Sequence, residues 1–433
     1  MGLAIVLQSL NGILLARWLH LRRLRDILLI TLLLCFFPTF VDYFGFAVDH
    51  IGFVLGDTLC IAAVIWMRHR TWISIVGAAF CHAFALSIYG PKIALISFLT
   101  IASLILEITE TKKFNVKLKV HAVLHELIHA LLPLVIGLAI FGLTVKLLVV
   151  NADAGRTSVN DIHAARAAIN QSYLATIRFF SGDMGGLSPK IRFLPIAIIL
   201  AGGSRALMLA RHSCTLPGTA TALLALLATP VAISATWIIN YGAGQSGRLY
   251  PAHAYFFLFY LAYLLRWHQA RKPALIGSIV LCWLLINLGS QRVNAIEFKS
   301  LYERAFVQRI VARVEALIPP GDLGKNPQAL VVIGEIPPFA INKYIRFPPR
   351  KATSHALNST AFAPYRQIEI INFFLGLEGV RKPTKMEQRL IVDQSRNYNA
   401  WPAKNSTFRT DNTIAAILQP YESGISITWN QNK

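Results

Sequence analysis

Long apolar runs alternate with short basic clusters along most of this chain, and very few folds tolerate that pattern. The runs lie near 2–16, 27–45, 51–67, 72–88, 93–109, 126–149, 193–210, 219–240, 252–265 and 274–289. About 20 apolar residues in a helix cross a hydrocarbon core of about 30 Å, and a helix satisfies its own backbone where water is absent. The pattern therefore predicts a mainly α protein, a polytopic membrane helix bundle of about nine to ten spans. Some runs fall at or below the ~17-residue minimum for a full crossing. Residues 252–265 read as a full span or as a re-entrant piece, and Pro38 interrupts 27–45.

The charge balance is strongly basic, 42 Lys+Arg against 21 Asp+Glu, which by itself would invite a nucleic-acid partner. Placement argues against one. Arg17, Arg22, Arg23 and Arg25 form one cluster, Arg68 and Arg70 another, and Lys112, Lys113, Lys117 and Lys119 a third. Arg205 with Arg211, and Arg266 with Arg271 and Lys272, complete the series. These clusters fall in the links between runs, where the positive-inside rule puts them and where anionic headgroups meet them. The partners so implied are membrane lipids, with no nucleic acid. Putting the clusters inside places 42–50, 89–92, 150–192, 241–251 and everything after about residue 290 outside, with Met1 also outside. The five cysteines lie in or beside apolar runs, so neither a disulfide framework nor a cysteine zinc site is indicated. The first 16 residues have their basic cluster after the apolar run, which suits a membrane helix better than a cleaved signal.

The composition changes at the end of the last run, dividing the chain into a membrane domain, 1–290, and a tail domain, 291–433. Val293, Ile296, Phe306, Ile310, Val314 and Leu317 recur at helical spacing and stop at Pro319-Pro320-Gly321. Ala329–Gly334 reads as a buried strand, Ile368–Leu377 and Glu387–Asn397 as helices, and Thr413–Leu418 as a last strand. A small extracytoplasmic α/β domain is expected.

Three constellations carry chemistry. His125-Glu126-Leu127-Ile128-His129 is an H-E-x-x-H, whose imidazoles share one helix face and would bind zinc beneath the glutamate. An intramembrane metalloprotease is thus one reading, with His125, Glu126 and His129 as its site. It lacks an acidic third ligand in the spans that follow, and the plainer reading is an interfacial helix start. On the outside, Asp42 and Asp49 share a short loop and Asp57 follows two turns into the next run. Carboxylates at a membrane face are costly unless hydrated or paired, so this group is a functional candidate beside the plainer reading of a solvated loop. Arg178, Arg192 and Arg248, with Lys92 and Lys190, sit at outer membrane edges, where a lipid-linked phosphate or ordinary headgroups would meet them.

Beyond these, Ala329–Pro338 (ALVVIGEIPP), Phe373–Leu377, Arg396-Asn397-Tyr398-Asn399-Ala400-Trp401-Pro402 and Thr413–Leu418 resemble the C-terminal region of the polytopic O-antigen glucosyltransferases of serotype-converting bacteriophages. Phe37-Pro38-Thr39-Phe40 through Asp49, and Gly247-Arg248-Leu249-Tyr250, are similar too. The resemblance implies a GT-C-like enzyme of the bacterial inner membrane, its tail periplasmic. Such an enzyme moves a sugar, glucose in this family, from a polyprenyl-phosphate carrier to lipopolysaccharide O-antigen or a related surface glycan. It implies a flippase as a partner, and a divalent cation is the one candidate cofactor. Asp49 and Asp42 become the catalytic candidates; Arg248, Arg178, Arg192, Tyr250 and Trp401 become substrate-binding candidates, with Tyr398 and Tyr365 as further acceptor surface. Family members begin inside, with a helix leading to an acidic outer loop, so the outside reading of Met1 implies an N-terminal truncation. A non-catalytic membrane partner in glycan modification is the remaining alternative.

Overall fold

The computed structural model describes residues 2–41, 50–110, 120–148, 162–183, 191, 193–213, 216–239, 251–319, 321–322, 325–334, 367–376 and 378–418. Two compact units emerge, with the boundary after Val293. The first holds α1 (Gly2–Trp18), α2 (Leu24–Cys35), α3 (Pro38–Val41), α4 (His50–Met67), α5 (Trp72–Ile88), α6 (Ile93–Glu110) and α7 (Val120–Leu148). It continues through α8 (Ile162–Arg178), α9 (Phe193–Ser213), α10 (Leu216–Ile233), α11 (Ala235–Ile239), α12 (Pro251–Arg266) and the start of α13 (His268–Glu315). Five stretches are long and apolar enough to cross a membrane: His50–Met67, Gly90–Glu110, Leu124–Leu147, Phe193–His212 and His268–Gln291. Gly2–Trp18, Trp72–Ile88 and Gly218–Ile233 are apolar but shorter. The mainly α, membrane-type bundle is as expected, with fewer full-length crossings among the described residues than the run count suggested.

The run 27–45 breaks where Pro38 requires it: α2 stops at Cys35 and α3 restarts with Pro38 at its first position, where a missing N–H costs nothing. The run 252–265 is a single helix, and every residue of α12 from Pro251 to Leu265 is buried. A helix apolar on all sides belongs inside a larger assembly of helices, and α12 is that centre. By contrast α7 exposes Leu124, Ile128, Leu131, Val135, Leu138, Leu143 and Leu147, the surface that lipid tails solvate.

Contacts with α12 use small residues and hydroxyls. A methyl added at Gly202 of α9 would sit 2.3 Å from the Tyr260 carbonyl oxygen, so the two backbones meet there with no room for a side chain. Thr109 of α6 pairs with the Tyr263 hydroxyl at 2.8 Å, and Thr229 of α10 with the Tyr260 hydroxyl at 3.1 Å. Between helices in hydrocarbon, close backbone approach and hydroxyl bonds of this kind supply what the hydrophobic effect cannot.

The second unit holds the rest of α13, α14 (Gln367–Leu375), α15 (Lys385–Ser395) and a sheet of β1 (Gln328–Ile333), β2 (Val380–Arg381), β3 (Thr407–Thr410) and β4 (Thr413–Ile417). The strand order is β2-β1-β4-β3, parallel except for the β3–β4 hairpin. Alternation along β1 sends Leu330 and Val332 against Ile310, Val314, Ile368 and Ile371, and Val331 and Ile333 against Ile391 and Phe408. Helices thus cover both faces, which is why β1 reads as a continuous apolar run. The two strands and three helices expected in the tail are present; the two-residue β2 and the polar β3 carry too little apolar signal to be read from sequence.

Replacing Gly202 with leucine should lower the thermal stability of the detergent-solubilised protein by about 1–3 kcal/mol or more, the cost of overpacking a tight contact. In the second unit Arg381 grips Glu387 at 2.6 and 3.1 Å and Thr384 caps the same carboxylate, which holds its pKa down at about 2. A carboxyl depressed in the folded state stabilises above its unfolded value of about 4.3 and loses that contribution as pH falls towards 2. Hydrogen exchange of α15, corrected for intrinsic rate, should therefore accelerate between about pH 4.3 and 2, and Glu387→Gln should remove that acid dependence.

Candidate active site

Helix α4 begins at His50, α6 is preceded by a tight turn, Gly90–Lys92, and α12 begins at Pro251. Near these ends Lys92 donates to the Asp57 carboxylate, and both side chains are fully buried. The lysine reaches Asp57 by lying across α4 at Gly56, where an added methyl would stand 2.9 Å from its Cε. The buried Tyr255 of α12 interacts with the same carboxylate through its hydroxyl. Thr236 of α11 donates to the Pro91 carbonyl at 2.7 Å, tying a fourth element to the turn. Sequence reading marked Asp57 as part of an acidic group and Lys92 as a surface cation. The structure corrects the second: Lys92 is an interior residue, and its charge is met by Asp57.

Aromatic side chains cluster around the first half of α12. Phe37, in the break between α2 and α3, lies 6.2 Å from both Phe179 and Phe257 between ring centroids. Phe179 and Phe180 open a π-helical turn at the end of α8 and pack on His253 of α12 at 4.5 and 6.0 Å. Three segments far apart in sequence therefore meet. One is α3, which directly precedes Asp42. Another is the turn after Arg178, and the third is the start of α12, which directly follows Arg248 and Tyr250.

Of the residues singled out from sequence, Asp42, Asp49, Arg192, Arg248 and Tyr250 lie outside the described residues, as do Lys190 and Tyr365. Arg178 is described, exposed at the last position of α8. Trp401 belongs to the second unit, half-buried against Phe306 at 5.0 Å with the Arg313 guanidinium 4.1 Å above its ring. Arg313 in turn donates to Ala403 O and Ser406 Oγ, both at 2.8 Å, so this ring takes part in holding the tail's own turn. Tyr398 stacks on Phe408 at 3.9 Å. Sequence reading missed Tyr255 and His253. The usable signal was two polar side chains at the head of an otherwise apolar run, which in a membrane helix is seldom idle.

The opposite end of the bundle is where the basic clusters gather. Arg70 bridges Glu107 of α6 and Glu126 of α7, 2.9 Å from each. Glu110 takes both His20, at 2.7 Å, and Arg266, at 2.8 Å. Arg68 donates to the Trp18 carbonyl, Arg271 pairs with Asp26, and Arg205 lies over the Trp267 ring at 5.0 Å. The H-E-x-x-H falls here. His125 and His129 do share a face, rings 6.4 Å apart, but Glu126 is engaged by Arg70. No group of three His, Cys, Asp or Glu side chains placed to hold a metal ion occurs among the described residues. The adjoining cleft, lined by Arg68, Arg70, Ser103, Glu107, Glu126 and His129, has a volume of about 30 Å³, room for water and not for a sugar.

A bundle of apolar helices with one strongly basic end and buried ion pairs is the build of a multi-span membrane protein. A family model described as "Glucosyl transferase GtrII" matches residues 2–266, more than half of the chain, and the protein belongs to that family of glycosyltransferases. No curated protein and no solved structure matches the chain.

Because Arg70 bridges two carboxylates, Arg70→Leu should leave Glu107 and Glu126 repelling one another and cost about 1 kcal/mol in thermal stability. His125→Ala, whose side chain is exposed, should change neither stability nor sugar transfer. A loss of transfer together with bound zinc would revive the metalloprotease reading.

Proposed function

We propose that this protein is a membrane glycosyltransferase of the bacterial inner membrane that moves glucose from a polyprenyl-phosphate carrier to lipopolysaccharide O-antigen or a related surface glycan. Membership of the glucosyltransferase family over residues 2–266 is the observation that carries this reading. The meeting of α3, the turn after Arg178 and the start of α12 supports it, since these described helix ends adjoin Asp42, Arg178 and Arg248 in sequence. On this reading the basic end faces the cytoplasm and the opposite end, with the tail domain 291–433, faces the periplasm. A flippase supplies the carrier-linked sugar to that side.

In the reaction, the acceptor hydroxyl attacks the anomeric carbon while the bond from that carbon to the carrier phosphate breaks. Asp49 or Asp42 takes the hydroxyl proton as general base. The phosphate leaves with the bonding electron pair, and Arg248, Arg178 and Arg192 meet its growing charge with guanidinium hydrogen bonds. Tyr250 lines the donor side.

Surface glycan from cells with and without the gene should differ by one glucosyl substituent per repeat. Asp49→Asn should lower transfer by about a hundredfold or more, and Arg248→Ala by about tenfold or more, with normal protein levels. Identical glycans in both strains would remove the proposal, and labelling that located Lys433 in the cytosol would overturn its polarity.

A further inference from the structure

The Asp57–Lys92 pair needs an explanation beyond stability. Both groups are stripped of water in an apolar interior, and a pair of well-packed hydrophobic side chains commonly holds helices together as well or better. Gly56 is left bare to let the lysine cross α4, and Tyr255 adds a hydroxyl from a third helix. An ion pair differs from leucine packing in being directional: it admits one register between the helices, where smooth apolar contacts admit several. The three residues lie close to the helix starts that matter. Asp57 is seven residues, about 10 Å, from His50, and Tyr255 is four residues, about 6 Å, from Pro251. Lys92 itself ends the turn before α6.

We infer that Asp57, Lys92 and Tyr255 form a positioning cluster. It fixes the register of α4 and α6 against α12 and thereby sets the spacing between the helix starts at His50 and Pro251. The inference deepens the transferase reading and rests on it for its catalytic consequence. These residues are positioning residues and act through the helix starts they hold. A misplacement near 1 Å at a reacting centre can cost about a hundredfold in rate, so a register set by three side chains is worth a buried charge pair.

The test compares full-length Asp57→Asn, Lys92→Met, the double variant Asp57→Leu/Lys92→Met, and Tyr255→Phe. Each single charge change strands its partner and should lower protein levels. The double variant removes both charges and should accumulate like the parent, yet transfer glucose from a glucosyl polyprenyl phosphate with kcat down about a hundredfold and KM changed less than about threefold. A double variant with parental kcat overturns the inference. Should the double variant fail to accumulate, Tyr255→Phe decides: kcat about tenfold lower at unchanged KM supports the cluster, and parental kcat overturns it. A second readout is independent of catalysis. Spin labels at Leu55→Cys and Arg178→Cys, both exposed, report α4 against the turn that packs on α12. In a background without native cysteines their distance distribution should be narrow in the parent and broad in the double variant and in Tyr255→Phe. If the parent transfers no glucose, the transferase reading fails, and the label distances alone judge the register: unchanged distributions in the variants overturn it.

Discussion

Total burial of α12 is the constraint from which the rest of the first unit follows. A helix with fifteen consecutive interior residues offers no face to solvent or lipid, so its neighbours must satisfy every polar atom it carries. Two hydroxyl pairings do so: Thr109 meets Tyr263 and Thr229 meets Tyr260. Gly202 lets one neighbour approach to backbone contact. The bundle is thus organised around matched polar positions on an apolar rod, and those matches select which helices can sit beside it.

The two ends of that bundle handle charge differently. At the basic end, Arg70 and Arg266 meet Glu107, Glu126 and Glu110 in partly exposed pairs that share partners, and Arg271 meets Asp26 in a buried one. Such pairs contribute little each, and their collective effect is to give the bundle one face suited to anionic headgroups. At the other end, Lys92 and Asp57 are fully enclosed, and aromatic rings from three distant segments seal the region around His253. Partly solvated charge suits a surface, whereas the Asp57–Lys92 charges depend on the helices packed around them.

Much of this was legible in the sequence because hydrophobic run length and helix-breaking chemistry are local. The break at Pro38, the long helix ending before Pro319, the buried strand at Ala329 and the final strand at Thr413 each follow from a few adjacent residues. Partnerships were not legible, since they depend on which helices pack together. Asp57 and Lys92 were each noticed, but 35 residues separate them and nothing local says that one neutralises the other. The H-E-x-x-H misleads in the same way: its spacing is that of a zinc site, while a remote arginine decides what its glutamate does. Trp401 looked like acceptor surface because aromatic side chains bind sugars, yet the Arg313 stack that occupies one side of its ring comes from a helix that ends 86 residues earlier.

The bare α-carbon at Gly56 has a consequence for how this family can vary. The volume omitted there is the volume that the Lys92 methylenes fill, so the two positions share a single allotment of space. Drift at one is therefore tied to drift at the other. A relative carrying alanine or serine at the first position needs the end of the cation at the second shifted or re-routed. Across diverged sequences these positions should covary, although they belong to different elements.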